Sequence, residues 1–555
     1  MDFNHYFTNE ELEAVLTGWQ QAYPRLVSLQ QIGESYEKRP LTLLVLTNQD
    51  SGSDLDKPAV WLDANIHATE LTGTTVVLRI ANSLLEGYGM DERITRLLDR
   101  AVYYILPRTN PDGAALAMAP NPKFIRSGVR PYPFEDKQEG LHEQDVDGDG
   151  RVLQMRLRDP NGDWKVSELD ARMMEKRAPD ESGGEYFRLL PEGLLESYNG
   201  WIIKPAPALQ GLDFNRNFPF EWRPEGTQRG AGPFPASEPE IRAVVDFIAR
   251  HPNISAAVSY HTFSGVILRP YSTHPDDQMN TDDLWVYQRI GKRGSELTGY
   301  RNVSIYHDFM YRPKEVTTGA FDDWMYDHQG VFAFTVELWD LPTAAGIKER
   351  KFIEWFREHP VSDDLQILQW TDQNAPQGYV PWYAFDHPQL GKVELGGWDL
   401  LYTWSNPPLG QLEAEVARNV NFALALGEML PHLSVLALDA APLGEGRYAL
   451  RLVLENDGYL PTYTCQQGKT RAAMRPVIVE LELAEGMALV QGKKRSDLGH
   501  LEGRSNKAGV TQAGAFSPTD NRVMAEWVVS APNAGSLGVN ILCQRGGSIK
   551  RVVNL

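Results

Sequence analysis

The feature that most restricts this chain is an alternation of short apolar runs with longer segments of helical periodicity. LTLLVLTN (41–48) and AVWLDANI (59–66) have the length and texture of strands buried on both faces. LTGTTVVLRIANSLLE (71–86) then places apolar residues at three- and four-residue spacing, as a helix packed on a sheet does. The strand texture returns in AVYYILPRTN (101–110), AAVSYHT (256–262) and VFAFTVELW (331–339). The helical one returns in NEELEAVLTGWQQAYP (9–24), with Asn9 available as N-cap, and in SEPEIRAVVDFIAR (237–250). Such alternation predicts an α/β domain around a largely parallel sheet, in which ligands collect beyond the C-terminal ends of the strands.

At 555 residues the chain exceeds one ordinary core, so more than one domain is expected. The pattern dissolves into charge, glycine and proline at about 131–207, which reads as an inserted, loop-rich segment. Within it Asp145, Asp147 and Asp149 alternate ahead of Gly150, the opening half of a calcium loop. The twelfth position is Arg156 rather than Glu, which argues against an EF-hand. Ca²⁺ at this turn and a solvated acidic turn both remain open. A Pro/Trp/Gly-rich stretch after Glu337 leads to a last helical segment ending near 430. From 432 to 555 the chain is short alternating segments without helices, which predicts an appended β-sandwich.

A formal net charge of −20 argues against nucleic acid or an anionic membrane as the partner. No run approaches the roughly 18–20 apolar residues of a membrane span. MDFNHYFTNEELEAVL has no basic region followed by an apolar run, so a cytoplasmic protein or a processed secreted form is expected. The two cysteines, Cys465 and Cys543, could pair across the sandwich or serve as buried hydrophobes.

The chemistry concentrates at strand ends. His67 and Glu70 follow the strand at 59–66 and could bring an imidazole and a carboxylate to one point, a donor pair that suits zinc. Alone, His-x-x-Glu would equally describe a capping His and a first-turn Glu. His261 ends a second strand and could deliver a third ligand to the same sheet edge. Glu337 interrupts an apolar strand, where a carboxylate is costly unless it is paired or used, and beside zinc it could take a proton from water. Asp213, Asn215 and Arg216 cluster within GLDFNRNFP, and the Arg fork matches a carboxylate.

These motifs come in one order: His67-Ala68-Thr69-Glu70, Asn110-Pro111-Asp112-Gly113, Asp213-Phe214-Asn215-Arg216, Ser259-Tyr260-His261, Gly319 to Trp324, and Thr335-Val336-Glu337-Leu338. Together they resemble the zinc metallocarboxypeptidases of the carboxypeptidase A/B type over about residues 3–430. The resemblance implies an α/β/α sandwich around a mixed, roughly eight-stranded sheet, one catalytic zinc, and hydrolysis of the last peptide bond. It makes His67, Glu70 and His261 the zinc ligands and Glu337 the general base. By the same resemblance Arg126 would stabilise the oxyanion, Asn215 and Arg216 would clamp the substrate carboxylate, and Asp213 would orient His67.

Two positions depart from the family pattern. The family's mobile tyrosine falls on Glu315 by ungapped count, with Tyr311 and Tyr306 nearby and Tyr311 the better match. The base of the specificity pocket falls on Asp322, which implies a preference for C-terminal Lys or Arg unless Arg269 neutralises it. A free carboxylate on a non-standard peptide, such as a peptidoglycan stem peptide, would suit the same residues. An inactive binding protein is the third reading, and the intact ligand set and base argue against it.

Overall fold

The structure, a computed structural model, describes residues 1–312, 315–505, 518–533 and 535–555. Eight strands form the central sheet: β1 (Val27–Glu34), β2 (Pro40–Leu46), β3 (Ala59–Ala64), β4 (Val102–Leu106), β5 (Ile254–Thr262), β6 (Val266–Arg269), β7 (Arg301–Ser304) and β8 (Phe332–Leu338). Their spatial order is β1-β2-β4-β3-β5-β8-β6-β7. The four central strands β4, β3, β5 and β8 run parallel, while β1, β2 and β6 pair antiparallel with their inner neighbours.

Every residue of β3, β4, β5 and β8 is buried, as expected of strands covered on both faces. Helices α1 (Asn9–Ala22), α2 (Thr72–Gly87), α3 (Pro239–Arg250), α4 (Thr281–Thr298), α5 (Phe321–Asp327) and α6 (Leu409–Met429) surround the sheet. Trp61 of β3 meets Phe247 of α3 at 5.6 Å, whereas Ala64 lies against Gly73 of α2. Positions three apart on a strand point to opposite faces, so α2 and α3 cover opposite sides and the architecture is α/β/α.

At the first helix Thr8, not Asn9, is the N-cap. Its hydroxyl accepts from Glu11 N at 3.2 Å, and the Glu11 carboxylate accepts from Thr8 N at 2.8 Å. Asn9 instead braces the neighbouring loop, accepting from Arg108 and donating to the Pro111 carbonyl. Thr8→Ala should weaken the α1 attachment by about 1 kcal/mol, read as faster amide exchange in 9–22.

The segment at 131–207 is more organised than its composition implies. Strands Gln154–Arg158, Phe187–Pro191, Trp164–Val166 and Met174–Lys176 join Tyr379–His387 and Gly391–Trp398 in one six-stranded sheet. Met155, Val393 and Leu395 form its small core. The insert strands are only three to five residues long, and Gln154–Arg158 meets Gly391–Trp398 some 240 positions away, so local periodicity does not announce the sheet. Arg156, where an EF-hand would need Glu, is a strand residue paired with Glu394 at 2.9 Å.

Past residue 432 two four-stranded antiparallel sheets stack. One contains Leu433–Gly444, Arg447–Asn456, Arg522–Ser530 and Ala488–Gln491; the other Arg495–Asp497, Ile478–Glu482, Ser536–Leu542 and Ile549–Asn554. Alternate residues Leu450, Leu452, Leu454, Trp527 and Val529 from the first meet Val479, Leu481, Val539 and Ile541 from the second in one core. Cys465 and Cys543 are both buried free thiols. Among the described residues no helix is long and apolar enough to cross a membrane.

Candidate metal centre and substrate cavity

The chain leaves β3 to β4 on one side, while β5 is followed outward by β8, β6 and β7 on the other. The crevice between β3 and β5 is therefore the topological switch point, where strand ends diverge and a ligand can enter. Asn65 turns the chain there with φ +56°, a conformation Asn tolerates, and its amide donates to the His67 carbonyl at 2.7 Å. The Asn110 side chain accepts from Gly113 N at 2.9 Å and donates to the Ser127 carbonyl at 2.8 Å. The Asn110-Pro111-Asp112-Gly113 motif thus caps a short helix and braces this corner.

His67, Glu70 and His261 meet at that crevice, all at most 5% exposed. His67 Nδ1 is 2.8 Å from Glu70 Oε1 and 3.1 Å from His261 Nδ1, and His261 Nδ1 is 3.1 Å from the other Glu70 oxygen. Donors around a tetrahedral zinc at about 2.0–2.1 Å stand roughly 3.3 Å apart, so this set fits zinc closely. Burial opposes the charge on Glu70, but His67 and His261 outweigh it and hold the carboxyl well below its usual range. Burial also lowers His261, favouring the neutral, ligating imidazole.

Each imidazole is oriented through its other nitrogen. His67 Nε2 lies 3.2 Å from Asp213 Oδ1, and that carboxylate also accepts from Asn215 N at 2.9 Å and Arg126 Nε at 3.0 Å. Burial works against Asp213 ionising, yet Arg126, Arg216 and His67 overcome it and keep it charged. His261 Nε2 lies 3.1 Å from Ser259 Oγ, which donates to Asp63 Oδ1 at 2.6 Å. Trp61 Nε1 donates to the other Asp63 oxygen at 2.6 Å. Burial pushes Asp63 up to about 6 against these two donors. The motif reading assigned Asp213 its role, gave Ser259 none and did not name Asp63. The signal was there: an Asp in an otherwise apolar strand, and a Ser two positions before His261 on the same strand face.

Glu337 sits directly opposite His261 in the parallel β5–β8 register. It is 9% exposed, and among the described residues its Oε2 has no hydrogen-bond partner. Burial first and Glu70 second raise it well above the ordinary range, with Arg126 opposing. An unsatisfied buried carboxylate beside a three-donor cluster is the arrangement of a group awaiting a proton.

A cavity of ≈60 Å³ opens beside it, lined by Arg126, Asn215, Arg216, Tyr311, Asp322, Thr335 and Glu337. Asn215 Oδ1 accepts from Phe321 N at 2.8 Å, which ties the 213–216 turn to α5. Asp322 is 1% exposed, and its oxygens accept from Thr335 Oγ1 at 3.1 Å and Asp323 N at 3.0 Å. Burial raises its pKa, with Arg216 among the opposing groups. Arg269 does not neutralise it: both terminal guanidinium nitrogens engage Asp276 at 2.5–2.7 Å. Tyr311 and Glu315 both line this cavity, whereas Tyr306 lines a separate one.

Gly319 approaches the site most closely: at φ +69° an added Cβ would lie 2.3 Å from the Arg216 carbonyl oxygen. Gly319→Ala should cost about 1–3 kcal/mol of stability. It should also raise KM about tenfold by displacing Arg216, measured by thermal melting and steady-state kinetics.

A second cavity of ≈340 Å³ shares Arg126, Tyr311 and Glu337 and continues past Phe263, Ile353 and Phe356. Glu337 and Arg126 thus border both spaces.

A family model described as zinc carboxypeptidase matches residues 12–355. The chain belongs to the zinc carboxypeptidase family. A second model, Domain of unknown function (DUF8731), matches residues 432–554. Carboxypeptidase A2 of Rattus norvegicus is 27% identical over 387 residues, covering 65% of this chain and 72% of that protein. Carboxypeptidase B2 of Bos taurus is 26% identical over 346 residues, 61% of this chain and 64% of its own length. Among solved structures, the crystal structure of thrombin activatable fibrinolysis inhibitor shares 19% identity at a TM-score of 0.45, covering 77% of this chain and 74% of that one.

Membership in a zinc carboxypeptidase family implies the metal, and the buried His–Glu–His cluster is where this chain could hold it. The three insert carboxylates also come together, but as a turn. Asp145 accepts from Gly148 N and Gly150 N, Asp147 from Asp149 N, and Asp149 from Arg151 N. These bonds stabilise the turn, and nothing in the family match calls for calcium there.

Proposed function

We propose that this zinc carboxypeptidase family member removes the C-terminal residue of peptides and prefers Lys or Arg at that end. The observation that carries the preference is Asp322, a buried carboxylate lining the same cavity as Arg216 and Glu337. Zinc held by His67, Glu70 and His261 would supply a Lewis acid at the scissile carbonyl.

The chain's own groups do the remainder. Asn215 and Arg216 hold the substrate's terminal carboxylate, the Arg through its planar fork. Tyr311, more than half exposed, closes the outer side of the cavity. Glu337 accepts a proton from the attacking water and returns it to the leaving amine, a task suited to a carboxylate raised by burial. Arg126 donates to the oxygen on which charge develops. Asp213, through His67, and Ser259 with Asp63, through His261, fix the ligand imidazoles. Calcium at Asp145, Asp147 and Asp149 forms no part of this reading.

The test is release of free amino acid from matched peptides ending in Arg, Leu or Glu. Arg should be removed fastest, and Asp322→Ala should lower kcat/KM on the Arg peptide about 100-fold. The Leu peptide should change little. An unaltered ranking in Asp322→Ala would reject the basic preference, and no release from any peptide would reject exopeptidase action.

A further inference from the structure

The turn that joins α5 to β8 has an unusual set of partners. α5 carries Asp322 at its start, and β8 carries Thr335 and Glu337, so this unit supplies the floor and one wall of the substrate cavity. Its far end, Asp327 to Val331, is gripped from the C-terminal β-domain. Asp327 accepts from Gln467 Nε2 at 3.0 Å and is ion-paired with Arg471. Arg545, itself only 2% exposed, donates to the carbonyls of Gln329 at 2.5 Å and Gly330 at 2.6 Å. Gly330, at φ +61°, lies so near the short helix α7 (Gln466–Thr470) that an added Cβ would be 2.2 Å from Gly468 Cα.

Asp327 and its helix neighbour Asp323 also lead toward the cavity wall. Asp327 Oδ2 also accepts from Tyr271 OH at 3.0 Å, and Asp323 accepts from Ser272 N at 2.9 Å. Ser272 lines the substrate cavity. Asp283 of α4 completes the joint, accepting from Gln466 N at 2.8 Å, Gln467 N at 2.9 Å and Tyr326 OH at 2.9 Å. Here buried charged and polar groups, which are costly unless mutually satisfied, converge on a seven-residue helix. Asp322 and Asp327 are five residues apart, about 7.5 Å along its axis, so a shift at one end reaches the other.

We propose that the C-terminal β-domain is a positioning element of the substrate cavity, with Arg471, Gln467 and Arg545 holding the α5–β8 turn so that Asp322, Thr335 and Glu337 keep their places relative to Arg216. The inference rests on that cavity receiving the substrate's last side chain. Arg471, Gln467 and Arg545 line neither cavity at the site and act through Asp327 and the turn.

Arg471 is about half exposed, so Arg471→Ala in the full chain disturbs little beyond this joint. Its KM for whichever C-terminal residue the wild type accepts best should rise about five- to tenfold, with kcat within about twofold. Arg471→Lys should recover most of the loss, and Gln467→Ala should raise KM in the same sense and serve if Arg471→Ala does not fold. A KM unchanged within about twofold in the soluble variants, with or without a lower melting temperature, would overturn the proposal, since it would leave only a stabilising role. A failed basic preference is seen in the wild-type peptide ranking and a failed positioning role in the variants, so the two are distinguishable.

Discussion

Glu337→Gln should abolish turnover while leaving the metal centre intact. The substitution keeps the shape of the side chain but removes its ability to take a proton, and general-base contributions run to about 10²–10⁴ in rate. The carboxylate stands next to His261 across the β5–β8 ladder, in a strand whose seven residues are all buried. Gln makes the same interior uncharged, so folding should be unharmed or slightly favoured. The measurement is kcat on an Arg-ended peptide alongside zinc content by atomic absorption. A fall of about 10³-fold or more with metal still bound is expected. Retained turnover would mean that another group moves the proton.

Removing the metal should have the second large effect, with two separate readouts. Chelation should eliminate hydrolysis, and added zinc should restore it. Independently of activity, the site brings Glu70, His67 and His261 within about 3 Å of one another, a spacing that a bound cation would bridge. Zinc should therefore raise the melting temperature, by the equivalent of about 4 kcal/mol when free metal exceeds Kd a thousandfold. His261→Ala should lose both the zinc-dependent stabilisation and the activity. Hydrolysis that persists after complete zinc removal would sink the mechanism.

Much of this site is legible along the chain because its residues stand out against their local background. Glu337 is a carboxylate in a strand otherwise built of apolar residues and Thr335, and His261 ends a run fit only for burial. Arg126 lies outside any such run; the family resemblance alone singled it out, and its approach to Glu70 at 3.2 Å and Asp213 at 3.0 Å ties it to the centre. Asp63 carries the same kind of signal as Glu337, yet its use depends on Ser259 reaching it from the next strand. Arg269 illustrates the converse. Its charge invited a pairing with Asp322 by proximity in the fold, and it is spent on Asp276, seven positions away in sequence.

The sequence by itself determined the α/β class, the strand ends where ligands gather, and the residues that stand out there. Burial on both faces and helical periodicity are local properties, written in neighbouring residues. Only the tertiary structure decided which distant segments pair. The six-stranded sheet joins 154–191 to 379–398, and Arg471 and Arg545 find the turn behind the substrate cavity. Those contacts close chain separations of about 140 to 240 residues, and their stabilisation comes from partners that no local pattern contains.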